Sequence, residues 1–327
     1  MAATNLIVLS PKDILDKAEK EPPSGEYFAM YSSVLGGVVT NPALMTVPLE
    51  DHLVHRGDGV FDVALIVNGN IYQFEAHLQR SLESAKAIAI VPPFDRETMR
   101  EIILQTAAIS KQRNALVSWY ISRGGGSLSV DPMESSHANF YVTVFKLPSH
   151  PEHFHEGMTV VTSPVVLRPP LSPQVKSCNY LLNAMVELSA HTAGVDSAIA
   201  LDEEGFIAEG SNKNVGFVTS KRVLKFPRFE KVLKSITATR AIEFAEHLQR
   251  EGLITRCETG DIILHEAYNS LEMLLFSTTL IVKPVVKYDG RIIGDGKPGP
   301  VYRRLNELFQ QDMTQNRELL TAVPYSA

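Results

Sequence analysis

Two short stretches carry residue types that can do chemistry together. One is Lys176-Ser177-Cys178-Asn179-Tyr180-Leu181; the other, about thirty residues on, is Ala208-Glu209-Gly210-Ser211-Asn212-Lys213-Asn214. A lysine amine can hold an aldehyde cofactor as an imine. A pyridinium nitrogen needs an acidic partner to stay protonated, and that partner tunes how well the ring drains electrons. Lysine, nearby tyrosine and distant carboxylate are therefore the parts that run a pyridoxal phosphate ring. The phosphate adds a demand for a cationic or amide-lined cradle elsewhere in the chain. Taken singly, Lys176 and Glu209 read as surface charges and Tyr180 as core, since lysines and carboxylates are mostly exposed. The joint arrangement carries the reading.

The elements that must position these residues are legible from periodicity. Val63–Val67 is a β-rich run, Asn68-Gly69-Asn70 a turn signal and Ile71–Phe74 a second strand, which together predict a hairpin. Helices are expected over Ala76–Ala89 and, capped by Asp95, over Asp95–Ser110. Leu116–Ser122 and Asn139–Phe145 read as strands around a glycine-rich loop, Gly124-Gly125-Gly126, taken as a flexible active-site loop. Beyond Gly157, strands are expected at Met158–Val166, Ser197–Leu201, Val215–Val218, Leu271–Ser277 and Ile281–Tyr288. Helices are expected at Tyr180–Thr192, Thr237–Glu251 and Pro300–Gln311. Hairpins outnumber βαβ units, which favours a two-domain α/β protein with mixed sheets over a doubly wound one. Lys146–Gly157, rich in Pro, His and charge, marks the composition shift. The division expected is a smaller N-terminal α/β domain at 1–147, a linker at 148–157 and a larger C-terminal domain at 158–327.

Bulk properties exclude other classes. The 327 residues are 44% hydrophobic and 21% charged, as in ordinary globular proteins, and suffice for two cores. A net charge of −6 argues against a nucleic-acid partner, whose phosphates want a basic face. No run reaches the ~20 apolar residues of a membrane span. Two cysteines, Cys178 and Cys257, suit a reducing compartment. The start lacks a basic n-region and an Arg-rich bias, so a cytoplasmic location is expected, or a plastid if a transit peptide has been removed. His150, His153 and His155 have metal-like spacing without a companion pattern, and read as a solvated loop.

The chain resembles the class IV aminotransferases, which include branched-chain and D-amino acid transaminases and aminodeoxychorismate lyase. The resemblance runs from about Met30 to about Met313 and looks closest to the plant-type D-amino acid transaminase-like branch. Besides the two stretches above, it rests on His52-Leu53-Val54-His55-Arg56-Gly57-Asp58-Gly59-Val60-Phe61-Asp62 and His77-Leu78-Gln79-Arg80. Leu233-Lys234-Ser235-Ile236-Thr237 and Ser277-Thr278-Thr279 complete it. It implies a two-domain D-amino acid aminotransferase-like fold with a barrel-like sheet core, and a homodimer with shared active sites. It implies Lys176 as the Schiff-base lysine and proton shuttle, Glu209 as partner of the ring nitrogen, and Tyr180 as partner of the ring 3′-oxygen. Asn214 falls in the Glu209 motif and joins the cofactor set. Arg80, the helix start at Ile236 and Thr237, and Thr278 supply the phosphate cradle: a forked donor, free amides and a hydroxyl.

The expected reaction moves an amino group from an amino acid, a D-amino acid such as D-alanine being favoured, to a 2-oxo acid by a ping-pong route through a Lys176 Schiff base. The substrate end departs from relatives. Bacterial D-amino acid transaminases carry an Arg-x-His carboxylate trap where this chain reads Arg123-Gly124-Gly125-Gly126-Ser127-Leu128-Ser129, and Phe61 replaces their tyrosine. Tyr31, Arg56, Phe61, Arg123 and Thr279 are the substrate-side candidates, Arg123 reading equally well as a structural residue. The alternatives are a branched-chain or (R)-amine transaminase, an aminodeoxychorismate lyase, and a non-catalytic scaffold that keeps the cofactor.

Overall fold

Alternation gives the strand at Gly59–Val67 two working faces. Val60, Ala64 and Ile66 pack into one apolar cluster, while Val63 and Leu65 pack into another. A strand buried on both sides lies at the middle of a molecule, and this one is shared by both clusters. The computed structural model describes residues 6–20, 25–167 and 173–326.

Tyr27–Ser32 (β1), Gly37–Val39 (β2), Gly59–Val67 (β3), Asn70–Tyr72 (β4), Ala115–Ser122 (β5) and Asn139–Phe145 (β6) build a first sheet. Met158–Thr162 (β7), Ser197–Leu201 (β8), Ile207–Gly210 (β9), Asn214–Val218 (β10), Val223–Phe226 (β11), Arg256–Thr259 (β12), Glu272–Ser277 (β13), Ile281–Tyr288 (β14) and Arg291–Ile292 (β15) build a second. Leu320–Ala322 (β16) returns to the first. That sheet runs β16-β4-β3-β5-β6-β1-β2, with antiparallel neighbours throughout. The second is mixed, β12-β11-β10-β13-β14-β7-β8-β9, with β15 on β14. Its β9 edge curls back to the interior strand β10, where Gly210 N–H donates to Lys213 O at 2.7 Å. The curl encloses Met158, Val160, Ile199, Val215, Phe217, Met273, Leu275 and Tyr288 as a barrel-like core.

The helices are Pro11–Lys20 (α1), His52–Arg56 (α2), Phe74–Ala87 (α3), Arg96–Ile109 (α4), Leu181–Ala193 (α5), Ile236–Glu243 (α6), Ala245–Arg250 (α7), Leu264–Tyr268 (α8) and Pro300–Gln315 (α9). Asp95 caps α4 by accepting from Thr98 N–H. Helices α3 and α4 cover one face of the first sheet. Between the sheets, α6, α7 and α9 pack Ala241, Phe244, Leu248, Leu305 and Phe309 against Leu65, Leu116, Leu274 and Phe276. No helix among the described residues is long and apolar enough to cross a membrane.

Three local expectations need correction. The single helix expected over Thr237–Glu251 is two, α6 and α7. Phe244 turns into the core, its ring edge-on to Phe309 at 5.1 Å, and the chain tightens there as His247 N–H reaches Phe244 O. The strand expected to Val166 ends at Thr162, two residues before Pro164, which has no N–H to continue a ladder. The glycine loop is tied down rather than loose: His52 N–H reaches Gly124 O, and Gly126 N–H reaches Glu50 O. Gly124 has φ +98°, and a Cβ there would sit 1.6 Å from His137 O, so glycine is required by a close backbone approach.

Candidate active site

The first half of β3 has an edge that β4 does not cover, and residues 176–178 fill it. Phe61 N–H donates to Lys176 O at 3.0 Å, and Cys178 N–H to Gly59 O at 2.8 Å. Lys176 N–H reaches Ser84 Oγ on α3 at 3.1 Å. The lysine backbone is thus fixed from both sides while its side chain enters a cavity of about 320 Å³ between the sheets. There Nζ lies 3.0 Å from the Tyr180 hydroxyl and 4.6 Å from the centroid of the Phe61 ring. Phe61 meets Tyr180 edge-on at 5.0 Å and stacks on Tyr120 at 5.9 Å, fixing an aromatic wall around the amine.

Across the cavity, Glu209 lies at the end of β9. Burial pushes its carboxyl up to about 7, against the opposing pull of the Lys176 ammonium, the Leu233 backbone and Asn214. Asn214, first residue of β10, donates through Nδ2 to Glu209 Oε2 at 3.0 Å and to Leu233 O at 3.1 Å. Its Oδ1 is buried without a partner among the described residues. A carboxyl raised this far is suited to meeting a ring N–H, which would return it to the ionised form.

At another wall, Arg80 on α3 forms a fork on buried Asp62, Nε to Oδ2 at 2.8 Å and Nη2 to Oδ1 at 2.7 Å. His77 Nδ1 lies 2.7 Å from the same carboxylate. Burial raises the Asp62 pKa, but Arg80 and His77 outweigh it and hold the carboxyl well below the usual range. The fork aims the guanidinium, and Nη1 also touches Lys234 O at 3.3 Å, beside the start of α6. Ser235 caps α6 by accepting from Ala238 N–H, so the amides of Ile236 and Thr237 belong to the open first turn. Thr278 and Thr279 form the turn between β13 and β14 and also line the cavity.

The cavity therefore gathers Lys176, Tyr180, Glu209, Asn214, Arg80, Thr278, Thr279 and Phe61, with Ile236 and Thr237 next to its lining residue Ser235. It does not gather Tyr31, Arg56 or Arg123. Tyr31 packs against Phe140 on β6. Arg56 is exposed and donates to His55 O and Leu128 O. Arg123 has the geometry of the second of its two expected readings, a structural brace: it forks onto Asp58 at 2.9 and 3.1 Å and also donates to the carbonyls of Ile88 and Ala89. The three histidines form no metal cluster among the described residues and each has its own contact: His150 with Thr279 O, His153 with Asp196, His155 facing Lys283. Asp62, His77 and Lys213 were missed as site residues. The first two could have been found as polar groups within the apolar patterns of β3 and α3.

The chemistry of this donor set fits pyridoxal phosphate: an amine beside a phenol, a carboxyl held across from it, and a braced guanidinium beside a helix start. Comparison with known proteins agrees. The amino-transferase class IV family model matches residues 59–288. The chain is 37% identical over 323 residues to the chloroplastic D-amino-acid transaminase of Arabidopsis thaliana, covering 98% of this chain and 86% of that protein. It is 31% identical over 268 residues to a putative branched-chain-amino-acid aminotransferase of Methanocaldococcus jannaschii, covering 81% and 90%. Among solved structures, the T.th. branched-chain amino acid aminotransferase with pyridoxamine 5′-phosphate matches at TM-score 0.83 and 26% identity, over 91% of this chain and 99% of that one. The chain belongs to the class IV aminotransferases, transaminases that depend on pyridoxal phosphate and act on amino acids and 2-oxo acids.

Proposed function

We propose that the amino donor is a D-amino acid such as D-alanine and the acceptor a 2-oxo acid. The observation that carries this reading is the 37% identity, along nearly the whole chain, with a D-amino-acid transaminase. Bacterial D-alanine aminotransferases at 25–26% identity support it. Bound pyridoxal phosphate supplies an electron-withdrawing ring that accommodates the charge freed at the substrate α-carbon. Lys176 Nζ is the covalent anchor and, once freed, the proton carrier; Tyr180, 3.0 Å away, orients it. Glu209 holds the proton at the ring nitrogen, with Asn214 fixing the carboxylate. Arg80, the Ile236 and Thr237 amides and Thr278 hold the phosphate, which is where their charge and N–H groups suit an anion. Phe61 and Thr279 border the substrate.

The test is a half-reaction. Adding D-alanine alone should bleach the yellow band of the bound cofactor as its amine form appears, faster than L-leucine or an (R)-amine does. A response to L-branched-chain donors only would favour the branched-chain activity named for the structural neighbours.

The same reading includes a homodimer. Its support is an exposed apolar face on α5, directly after Tyr180, formed by Leu181 (74% exposed), Met185 and Leu188. Solvent contact over such a stripe is costly, and a second copy would bury it. The domain division at 148–157 is supported by β1–β6 preceding it and β7–β15 coming after it, while β16 crosses back, so the segment at 320–322 goes with the first sheet and not with the second domain. Free Cys178 and Cys257 and the chloroplastic relative support a reducing compartment, cytoplasm or plastid.

A further inference from the structure

Next to the catalytic cavity lies a larger cleft of about 810 Å³, and Asn212, Lys213 and Thr279 form part of the wall of both. Lys213 is only 9% exposed. Its Nζ donates to Ser211 Oγ at 3.1 Å and to Glu187 Oε2 at 3.2 Å. That leaves one of its three N–H groups without a partner among the described residues. A further basic group, His150, lines this cleft. His150 contacts Thr279 O at 3.2 Å, and its pKa is lowered by burial and then by the charges of Lys283 and Lys213. Burial likewise lowers the Lys213 pKa, while Glu187 opposes it.

Three cations line the catalytic cavity. Lys176 is the cofactor amine and Arg80 is forked on Asp62 beside the start of α6, which leaves Lys213. Arg123, the other cation considered for a substrate carboxylate, is fully engaged with Asp58 and two backbone carbonyls. A buried ammonium with an open N–H, on the wall shared by the cavity and the cleft, suits a second carboxylate. We propose that Lys213 reads the distal carboxylate of a dicarboxylic substrate, a 2-oxo diacid or the corresponding amino diacid, and so sets a preference for diacids over monoacids of equal length. This rests on the aminotransferase reading of the cavity and is independent of which donor enters.

The test compares equilibrium binding of glutarate and pentanoate to the holoenzyme, read from the absorbance of the bound cofactor. Wild type should bind glutarate at least about 10-fold more tightly, the scale of one charge-assisted hydrogen bond. Lys213→Met should bring the ratio of the two dissociation constants near one, and Lys213→Arg should keep most of it. A wild type that does not prefer glutarate overturns the proposal, as does a preference that survives in Lys213→Met. If Lys213→Met fails to hold cofactor, the wild-type ratio and Lys213→Arg decide, and loss of the preference in the arginine variant counts against it. Failure of D-alanine to convert the cofactor, with the glutarate preference intact, would remove the donor assignment and leave Lys213 standing.

Discussion

Lys176 and Glu209 face each other across the cavity, and the two make opposite demands on an experiment. Lys176→Ala should abolish the covalent link and the activity together, seen as loss of the yellow band and at least a roughly 10³-fold fall in kcat, of order the loss of a covalent and proton-transfer group. Glu209→Gln should still bind cofactor but lose orders of magnitude in rate, because the ring nitrogen loses the carboxylate that keeps it protonated. In the cofactor-free protein the same change should stabilise. Burial raises the Glu209 carboxyl from its ordinary 4.5 to about 7, so between those values the folded chain holds more protons than the unfolded one. Stability therefore falls as pH rises through that window, and the cost is complete above it. Cofactor-free Glu209→Gln should gain about 1–3 kcal/mol over wild type at about pH 8, with solvent in the cavity screening part of the effect, and nothing at about pH 4. Urea melts at the two pH values check this.

At the scale of elements, the start of α6 serves both folding and anion binding. Ser235→Ala removes the cap on Ala238 N–H and should cost about 1 kcal/mol in a thermal melt. It should also weaken cofactor affinity several-fold by loosening the Ile236 and Thr237 amides, measured by dialysis against limiting cofactor. Elements with strong local patterns were legible in the sequence: β6, β8 and β14 match their expected bounds, and Asp95 caps α4 as expected. Lys176, Tyr180 and Glu209 also come together in one cavity. What local pattern could not show depends on distant partners. Arg123 becomes a brace because Asp58, 65 residues away, meets it as a fork. Phe244 breaks a well-patterned helix because Phe309 offers it a place in the core. Strands β1, β11 and β12 went unassigned because their register is set by neighbours rather than by marked alternation. Lys213 was hidden for the same reason: its use depends on which cavities its turn separates.

At the scale of the whole molecule, the dimer proposal makes a firm prediction. A Met185→Glu, Leu188→Glu double variant should place charge on the apolar face of α5 and shift the protein to monomer in light scattering, with weaker cofactor retention because α5 begins next to Tyr180. A dimer that persists undiminished would mean that subunits meet elsewhere. The connection of the first sheet to β16 has a further consequence for how the molecule is made. β16 closes the β4 edge, Leu319 O takes the Gln73 N–H, and the Tyr72 hydroxyl meets Asp312, 240 residues along the chain. At about 5–20 residues per second, a ribosome delivers these partners some 10–50 seconds apart. Through that interval β4 emerges with its hydrogen-bonding edge unmatched, open to any other strand nearby. Until β16 appears the newborn chain carries this open edge, which makes its yield sensitive to translation speed and chaperone supply.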